Sequence, residues 1–297
     1  MEFITKQEVK DILGIDERTY QTYLKDGILK PYKISDDSRI FKFDKSDVVS
    51  VFKKPKEARI ITVANNKGGT GKSTISYNLA HVLSENNKVL CIDLDIQGNL
   101  SVFFNVDIDN LKIDNFTNMD IIKISENLYI LPANITLSSL ELEIQNKINR
   151  EKWLEKNIIS KVIHKYDYII LDTSPSLNLL NLNAFSSSHL ILIPVNPDTL
   201  SIVGLDTIIG IIKEIQNNIN SKLNYKIIMN KFTKGRVLTT EIMDMLGQHY
   251  NKYLLPITIN HTQKVIDSVA LKQPVKDKDI LKSLIDLKEY IEKGMYE

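Results

Sequence analysis

A glycine-rich segment between an apolar run and a helical pattern is the clearest chemical feature of this chain. Asn66–Thr74 reads Asn-Lys-Gly-Gly-Thr-Gly-Lys-Ser-Thr and follows the apolar residues 60–64. Glycines allow the backbone to curl around an anion, and the free N–H groups at the start of a helix point at it. Lys72 would then reach the outer phosphates of a nucleotide, and the Ser73 hydroxyl would bind Mg²⁺. The sequence therefore predicts a nucleotide-phosphate site.

Acidic residues end two further apolar runs and are candidate site residues. Asp93 and Asp95 end the first run, and Asp172 ends the second. Two acids at i and i+2 on a strand end face the same side, so both can address one site.

The loop carries two lysines, Lys67 and Lys72. It resembles the deviant Walker A box of the ParA/MinD ATPases, with Asn66 in place of the usual first glycine. The segment 93–99 is similar to the switch segment of that family, and 168–172 resembles its Walker B strand. The resemblance covers about residues 58–290. It implies a P-loop ATPase that uses ATP and Mg²⁺ and forms a nucleotide-sandwiched homodimer.

The resemblance also implies a role for each residue of the site. Lys67 would reach the phosphates of the partner subunit, Asp95 would orient the attacking water, and Asp93 would lie near the metal shell. Ser73 and Asp172 would hold the metal. The expected nucleotide contacts, with Asn230 on the adenine side, are Lys67, Gly68, Gly69, Thr70, Gly71, Lys72, Ser73, Thr74 and Asn230.

Composition limits the class of protein. The chain has 297 residues, of which 43% are hydrophobic and 25% charged, with a formal net charge of +1. This is typical of globular domains, and any nucleic-acid contact must come from local basic patches. The single cysteine, Cys91, lies in an apolar run, which excludes a disulfide framework and a cysteine-held cluster. No apolar run reaches the roughly 20 residues of a membrane span. We expect a cytoplasmic protein that associates with the nucleoid.

The first 56 residues predict a separate small domain. A lysine- and proline-containing stretch at 53–57 reads as a linker, which divides the chain into 1–56 and 57–297. Thr5 and Glu8 form a capping-box pattern, and Gly14 would end that helix. Asp16 would cap a second helix, and a hairpin-like stretch and a further helix follow.

This arrangement resembles the winged helix-turn-helix of MerR-type regulators. The resemblance implies DNA contacts from the second helix and the wing: Arg18, Thr19, Gln21, Thr22, Arg39 and Lys42. The alternative is that these residues are the solvated face of a protein-interaction domain. In the ATPase domain, Lys231, Lys234 and Arg236 would bind DNA non-specifically, or form an ordinary basic loop.

Alternating patterns predict an α/β fold, with a mostly parallel sheet and helices on both faces. The expected strands are 60–64, 89–93, 128–131, 168–172, 190–195 and 226–230, and residues 137–165 are expected to be helical. The resemblance implies a slow partitioning ATPase whose ATP dimer binds DNA and is released by hydrolysis, stimulated by a centromere-binding ParB-like partner. One alternative is a nucleotide-gated repressor of its own partition operon. A MinD-like membrane cycle is disfavoured, because the last 34 residues carry seven lysines and seven acids.

Overall fold

The computed structural model describes residues 2–33, 41–52, 57–112 and 114–294. The chain divides into two compact units, Met1–Glu57 and Ala58–Glu297, and each is described by itself. Two expectations, the linker residues 53–56 and the wing residue Arg39, lie outside the described residues.

The small unit contains three helices and a three-stranded sheet. Its sheet has the order β1-β3-β2, and both pairings are antiparallel. The elements are β1 (Phe3–Ile4), α1 (Lys6–Leu13), α2 (Glu17–Lys25), β2 (Tyr32–Lys33), β3 (Phe41–Asp44) and α3 (Lys45–Phe52).

The predicted helix signals of the small unit are confirmed. The Thr5 hydroxyl accepts a bond from the Glu8 N–H at 3.3 Å, and the Glu8 carboxylate accepts one from the Thr5 N–H at 2.7 Å. Gly14 ends α1 in the left-handed conformation, with φ 55°. The Asp16 carboxylate accepts a bond from the Thr19 N–H at 2.8 Å and so caps α2. Each cap satisfies an N–H group at the start of its helix and so stabilises it.

One hydrophobic core holds the small unit together. Its buried side chains come from α1, α2, the segment after α2, two of the strands and α3: Ile4, Val9, Leu13, Tyr20, Leu29, Phe43 and Val48. Tyr20 packs edge-on against Phe43, with ring centroids 6.0 Å apart. The tyrosines of α2 therefore face inward, and its polar residues are left on the outer face.

The large unit is built on an eight-stranded sheet in the order β11-β10-β9-β4-β8-β5-β7-β6. Among the described residues, β6 alone runs antiparallel, paired with β7. The strands are β4 (Arg59–Val63), β5 (Val89–Asp93), β6 (Ile122–Lys123), β7 (Leu128–Leu131), β8 (Tyr168–Asp172), β9 (Leu190–Val195), β10 (Asn224–Phe232) and β11 (Leu254–Asn260).

The six expected strands are confirmed, and the two edge strands were missed. β6 is two residues long, too short to show a period, and β11 contains Pro256. Proline lacks an N–H donor and is therefore tolerated at an edge of a sheet rather than at its centre.

Helices cover both faces of the sheet, as predicted. They are α4 (Lys72–Ser84), α5 (Asn99–Phe103), α6 (Asn115–Asn118), α7 (Leu137–Gln145), α8 (Ser160–Val162), α9 (Leu179–Ser187), α10 (Thr199–Asn218), α11 (Val237–Tyr250), α12 (Gln263–Ala270) and α13 (Lys278–Gly294). Alternate strand residues divide between two cores: Ile60 lies in one, and Ile61 and Cys91 lie in the other.

The expectation of a continuous helical stretch at 137–165 is only partly right. α7 ends at Gln145, and Asn149 takes a left-handed conformation with φ 56°. Short 3₁₀ and π-helical turns, Ile108–Asn110, Arg150–Lys152 and Glu155–Ile159, complete the helical elements. The left-handed residue breaks the helix because a right-handed helix cannot pass through it.

The central strand β4 is flanked by β8 on one side and β9 on the other. The chain therefore winds outward in both directions from β4, and the helices that follow neighbouring strands diverge. In open parallel sheets a ligand crevice forms at such a point, beyond the carboxyl ends of the strands. The segment Asn66–Thr74 begins at this point.

Candidate nucleotide-binding site

The loop between β4 and α4 has the shape of an anion cradle. Gly69 and Gly71 have φ values of 73° and 87°, which residues with a side chain rarely adopt. A Cβ atom at Gly71 would also overlap the amide nitrogen of Asn230. α4 begins at Lys72, directly after this turn. The first N–H groups of α4 have no partner within the helix and are available to an anion.

Side-chain donors hold the carbonyl groups of the loop. The Asn230 amide donates to the Thr70 carbonyl at 2.7 Å. The Gly69 carbonyl accepts bonds from the Asn196 amide at 3.2 Å and the Lys231 ammonium at 2.8 Å. A carbonyl oxygen that is held in this way does not face the phosphate, whose negative charge would repel it. The loop can then present its N–H groups to the ligand.

Lys72 lies under the loop and is only 7% exposed. Its ammonium donates to the Lys67 carbonyl at 3.4 Å. Burial lowers the pKa of Lys72, and the carboxylates of Asp172 and Asp95 oppose this effect. A buried ammonium with few partners interacts strongly with a phosphate, because little water screens it.

Asp172 and Asp93 lie side by side at the ends of β8 and β5, where they are register partners. Both are fully buried. Burial and the neighbouring Asp93 carboxylate raise the pKa of Asp172 to about 8. The Ser76 hydroxyl donates to Asp172 Oδ1 at 2.8 Å, and the Ser73 and Ser76 hydroxyls act to lower this pKa. Its buried Oδ2 has no hydrogen-bond partner.

This donor set fits Mg²⁺. Hydroxyl and carboxylate oxygens are the ligands that Mg²⁺ prefers, and a cation would satisfy the open oxygen of Asp172. Within the described part of the chain, no group of three or more His, Cys, Asp or Glu residues could hold a metal by itself. Ser73 and Asp172 can therefore supply only part of the shell. Phosphate oxygens and water would have to complete it, as is usual for Mg²⁺ in nucleotide sites.

Asp93 holds the loop that carries Asp95. Its carboxylate accepts bonds from the Ser101 N–H at 2.8 Å, the Ser101 hydroxyl at 2.7 Å and the Asp95 N–H at 3.1 Å. Burial raises the pKa of Asp93 to about 6. Asp95 is 6% exposed, and its carboxylate accepts a bond from the Gln97 N–H at 3.0 Å. The second oxygen of Asp95 has no bond of this kind to the loop.

Lys67 is engaged within its own chain. Its ammonium lies 2.5 Å from Asp198 Oδ1 and 3.3 Å from the Ser201 hydroxyl. Asp198 also caps α10 by accepting a bond from the Ser201 N–H at 2.9 Å. Burial acts to raise the pKa of Asp198, but the bonds from Lys67 and Ser201 outweigh it and leave the pKa below its ordinary value.

Asn66, which stands in place of the usual first glycine of the loop, has a glycine as its packing partner. The Asn66 side chain packs directly against Gly204 of α10, where an added Cβ would overlap the Asn66 amide group. Asn66 Oδ1 is buried and has no hydrogen-bond partner. Sequence reasoning assigned no role to Asn196, Asp198 or Gly204. The local signal that could have identified Asp198 is that an aspartate directly precedes the 20-residue helix α10 and can cap it.

A cavity of about 260 Å³ adjoins the loop. Its apolar wall includes Ile259, Val265 and Val269, and polar groups of Asn230 and His261 also line it. Because Asn230 donates its amide N–H to Thr70, its Oδ1 is left as an acceptor. A flat base could stack on the apolar wall and donate to this oxygen.

The candidate DNA contacts are distributed over both units. In α2, Arg18, Gln21 and Thr22 are exposed and Thr19 is half-buried. Lys25, which sequence reasoning did not select, is exposed on the same helix face at the i+7 spacing from Arg18. Lys42 is half-buried on β3, and Lys234 and Arg236 are exposed before α11. Lys231 contacts the phosphate loop, as described above. The role of these residues in DNA binding stays a prediction.

Comparisons with known proteins agree with this site. The family model described as AAA domain matches residues 58–225. The sporulation initiation inhibitor protein Soj of Bacillus subtilis is 29% identical over 73% of this chain and 90% of its own length. The chromosome partitioning protein ParA of Myxococcus xanthus is 27% identical, over 73% of this chain and 80% of that protein.

A solved structure extends the similarity to the fold. The plasmid partition protein of Borrelia burgdorferi bound to AMPPNP matches with a TM-score of 0.68 and 27% identity, over 80% of this chain and 99% of that chain. The fold and the phosphate loop thus define a P-loop ATPase. The chain belongs to the AAA-domain family, and within it to the ParA type. In the part of the chain that the structure describes, no helix is long and apolar enough to cross a membrane.

Proposed function

We propose that this protein is a DNA-partitioning ATPase that binds ATP with Mg²⁺, forms an ATP-sandwich homodimer on DNA and leaves the DNA after hydrolysis. The observation that carries the proposal is the phosphate loop with two lysines. Lys72 is buried beneath the loop, whereas Lys67 lies at its edge with its side chain 29% exposed. Lys72 would serve the nucleotide bound to its own chain, and Lys67 would move to the partner subunit.

Nucleotide recognition follows from the loop and the adjoining cavity. The N–H groups at the start of α4 and the Lys72 ammonium would hold the phosphates. The base would occupy the cavity, with its exocyclic amino group donating to Asn230 Oδ1. Guanine carries an acceptor at the corresponding position, so an acceptor on the protein favours adenine. Ser73 and Asp172 would hold Mg²⁺, which neutralises charge on the phosphates when it is bound.

Hydrolysis would depend on the β5 switch segment. Asp95, with one carboxylate oxygen free of loop contacts, would orient the attacking water. Asp93 would act by positioning, because three bonds commit its carboxylate to Ser101 and Asp95. Lys67 would leave Asp198 and stabilise the phosphates bound to the partner subunit. Slow turnover is expected of a site that is incomplete until two chains meet.

The small unit, with residues 1–56 as its proposed limits, would be a winged helix-turn-helix that reads a specific DNA site. The exposed face of α2 would enter the major groove, and the wing would contact phosphates. Residues 1–56 carry 12 Lys/Arg and 10 Asp/Glu, so 12 − 10 leaves +2. So small an excess favours binding as a dimer that reads two half-sites.

Non-specific DNA binding would lie on the ATPase unit, through Lys234 and Arg236, and would place the protein on the nucleoid. The partner is expected to be a centromere-binding ParB-like protein that stimulates hydrolysis. The second candidate function is a nucleotide-gated repressor of its own partition operon. The exposed polar face of α2 (Arg18, Gln21, Thr22 and Lys25) favours this activity, because non-specific binding alone does not require it.

The test measures binding to random DNA and to DNA from the protein's own operon, with and without ATP and Mg²⁺. Binding to random DNA should require ATP, and Lys72→Ala should abolish both ATP binding and this DNA binding. Lys67→Ala should retain ATP binding but lose the ATP-dependent dimer. Arg18→Ala should weaken binding to operon DNA by roughly tenfold or more and leave random DNA unchanged. ATP-independent binding to random DNA would contradict the proposal.

A further inference from the structure

Lys231 contacts Gly69 of the phosphate loop although it lies 162 residues further along the chain. Its ammonium donates to the Gly69 carbonyl at 2.8 Å. The preceding residue, Asn230, donates to the adjacent Thr70 carbonyl at 2.7 Å. Two consecutive residues of β10 therefore hold two consecutive carbonyl groups of the loop.

An unusual backbone conformation makes this double contact possible. Consecutive side chains of a regular strand point to opposite faces of the sheet. Lys231 has φ 52°, in the left-handed region, and the pairing of β10 with β11 is irregular between Met229 and Phe232. Such an irregularity re-aims a side chain and is frequent beside functional sites. A lysine in this conformation is strained, and other contacts must offset the strain.

Lys231 lines two cavities of the ATPase unit. It lines the cavity of about 260 Å³ that we assign to the base. It also lines a second cavity of about 230 Å³, together with Asn196, Asp198 and Arg236. Asn196 is the other side chain that donates to Gly69, and Asp198 is the partner of Lys67. The Lys231 side chain thus lies between the base cavity and the groups that hold Lys67.

We propose that Lys231 is a nucleotide-positioning residue, the third lysine of the phosphate site. It holds the Gly69 carbonyl away from the phosphates and adds positive charge at the edge of the loop. This inference rests on the proposed function, in which the loop binds ATP. It replaces the expectation that Lys231 binds DNA, because its ammonium is directed to the loop.

The test measures binding of AMPPNP with Mg²⁺ to the full chain in the absence of DNA. Lys231→Met removes the ammonium and keeps a similar length, and should weaken binding roughly tenfold. Lys231→Arg should restore most of the affinity, because a guanidinium can also donate to Gly69. In steady-state hydrolysis, KM for ATP should rise in Lys231→Met while kcat changes less than twofold. Lys222→Met, at an exposed lysine two residues before β10, is the matched control and should bind normally.

Other outcomes would overturn the inference. Unchanged AMPPNP binding in Lys231→Met, with weaker binding to random DNA, would assign Lys231 to DNA instead. A lower kcat with unchanged KM would also contradict a positioning role. If Lys231→Met does not fold, Lys231→Asn gives the same test, since asparagine tolerates a left-handed backbone and cannot reach Gly69. Lys72→Ala separates the two proposals: if it still binds AMPPNP, the proposed function itself fails.

Discussion

Replacing Asp198 by asparagine should strengthen the ATP-dependent dimer. In the structure the Lys67 ammonium is paired with Asp198 Oδ1 at 2.5 Å, and this pair must open before Lys67 can reach a partner subunit. Asp198→Asn removes the charge of the acceptor but keeps the cap of α10, because asparagine and aspartate cap helices equally well. The variant therefore weakens the competing contact with little damage to the fold.

The size of the effect follows from the exposure of the pair. The two side chains are 29% and 36% exposed, so the pair is worth about 0.2–1 kcal/mol, as for other partly solvated ion pairs. A sandwich dimer opens two such pairs, which gives about 0.4–2 kcal/mol. The dimer dissociation constant should then fall by roughly twofold to thirtyfold.

Sedimentation equilibrium with AMPPNP and Mg²⁺ measures this constant without hydrolysis. Glu214→Gln removes an exposed carboxylate further along α10 and controls for the change in net charge. The nucleotide affinity of each monomer should be unchanged, because Asp198 is not expected to contact ATP. If Asp198→Asn binds AMPPNP but dimerises no more tightly than the unchanged chain, Lys67 does not leave Asp198 to form the dimer.

Three further predictions concern hydrolysis, packing and pH. Asp95→Ala should slow hydrolysis roughly a hundredfold or more and leave a persistent ATP dimer in size-exclusion chromatography; unchanged turnover would count against Asp95 as the water-orienting group. Gly204→Ala should lower the free energy of unfolding in urea by about 1–3 kcal/mol, because the new methyl group overlaps the Asn66 amide. Asn66→Gly should rescue it in the double variant, and additive losses would refute this contact. Burial lowers the pKa of His81 from 6.5 to about 4, so the unfolded chain binds the additional proton first as pH falls through this window. The His81 site alone should therefore lose about 2–3 kcal/mol of stability between pH 6.5 and 4, whereas the raised pKa values of Asp93 and Asp172 act in the opposite direction over this range. The difference in free energy of unfolding between the unchanged chain and His81→Phe should change by this amount over the range, and the exposed His164→Gln should show no such change.

Local signals in the sequence predicted the fold and the core of the site well. The six inner strands, the glycine turn before Lys72 and the helix caps of the small unit each depend on residues within a few positions of one another. Asp93, Asp95 and Asp172 were correctly expected at strand ends. The mutual burial of Asp93 and Asp172 was not expected, because it depends on β5 and β8 being neighbours in the sheet.

Contacts between distant segments could not be predicted in this way. Lys67 and Asp198 are 131 residues apart, and Lys231 and Gly69 are 162 residues apart. Nothing local in the sequence distinguishes Lys231, which holds the loop, from Lys234 three residues later. The difference arises from the backbone conformation at Lys231, and a positive φ at a lysine has no signature in its neighbours.

These distant contacts give the loop a route by which a bound nucleotide would affect the rest of the unit. The loop is held from β9 through Asn196, from β10 through Asn230 and Lys231, and from α10 through Asp198. Phosphate that draws Lys67 from Asp198, or that displaces Lys231 from Gly69, changes contacts at the first turn of α10 and the end of β10. Because α10 is 20 residues long and packs in the core, a change at its first turn can be carried along the helix. The coupling therefore requires no contact between nucleotide and α10, and Asp198→Asn and Lys231→Met should alter it separately.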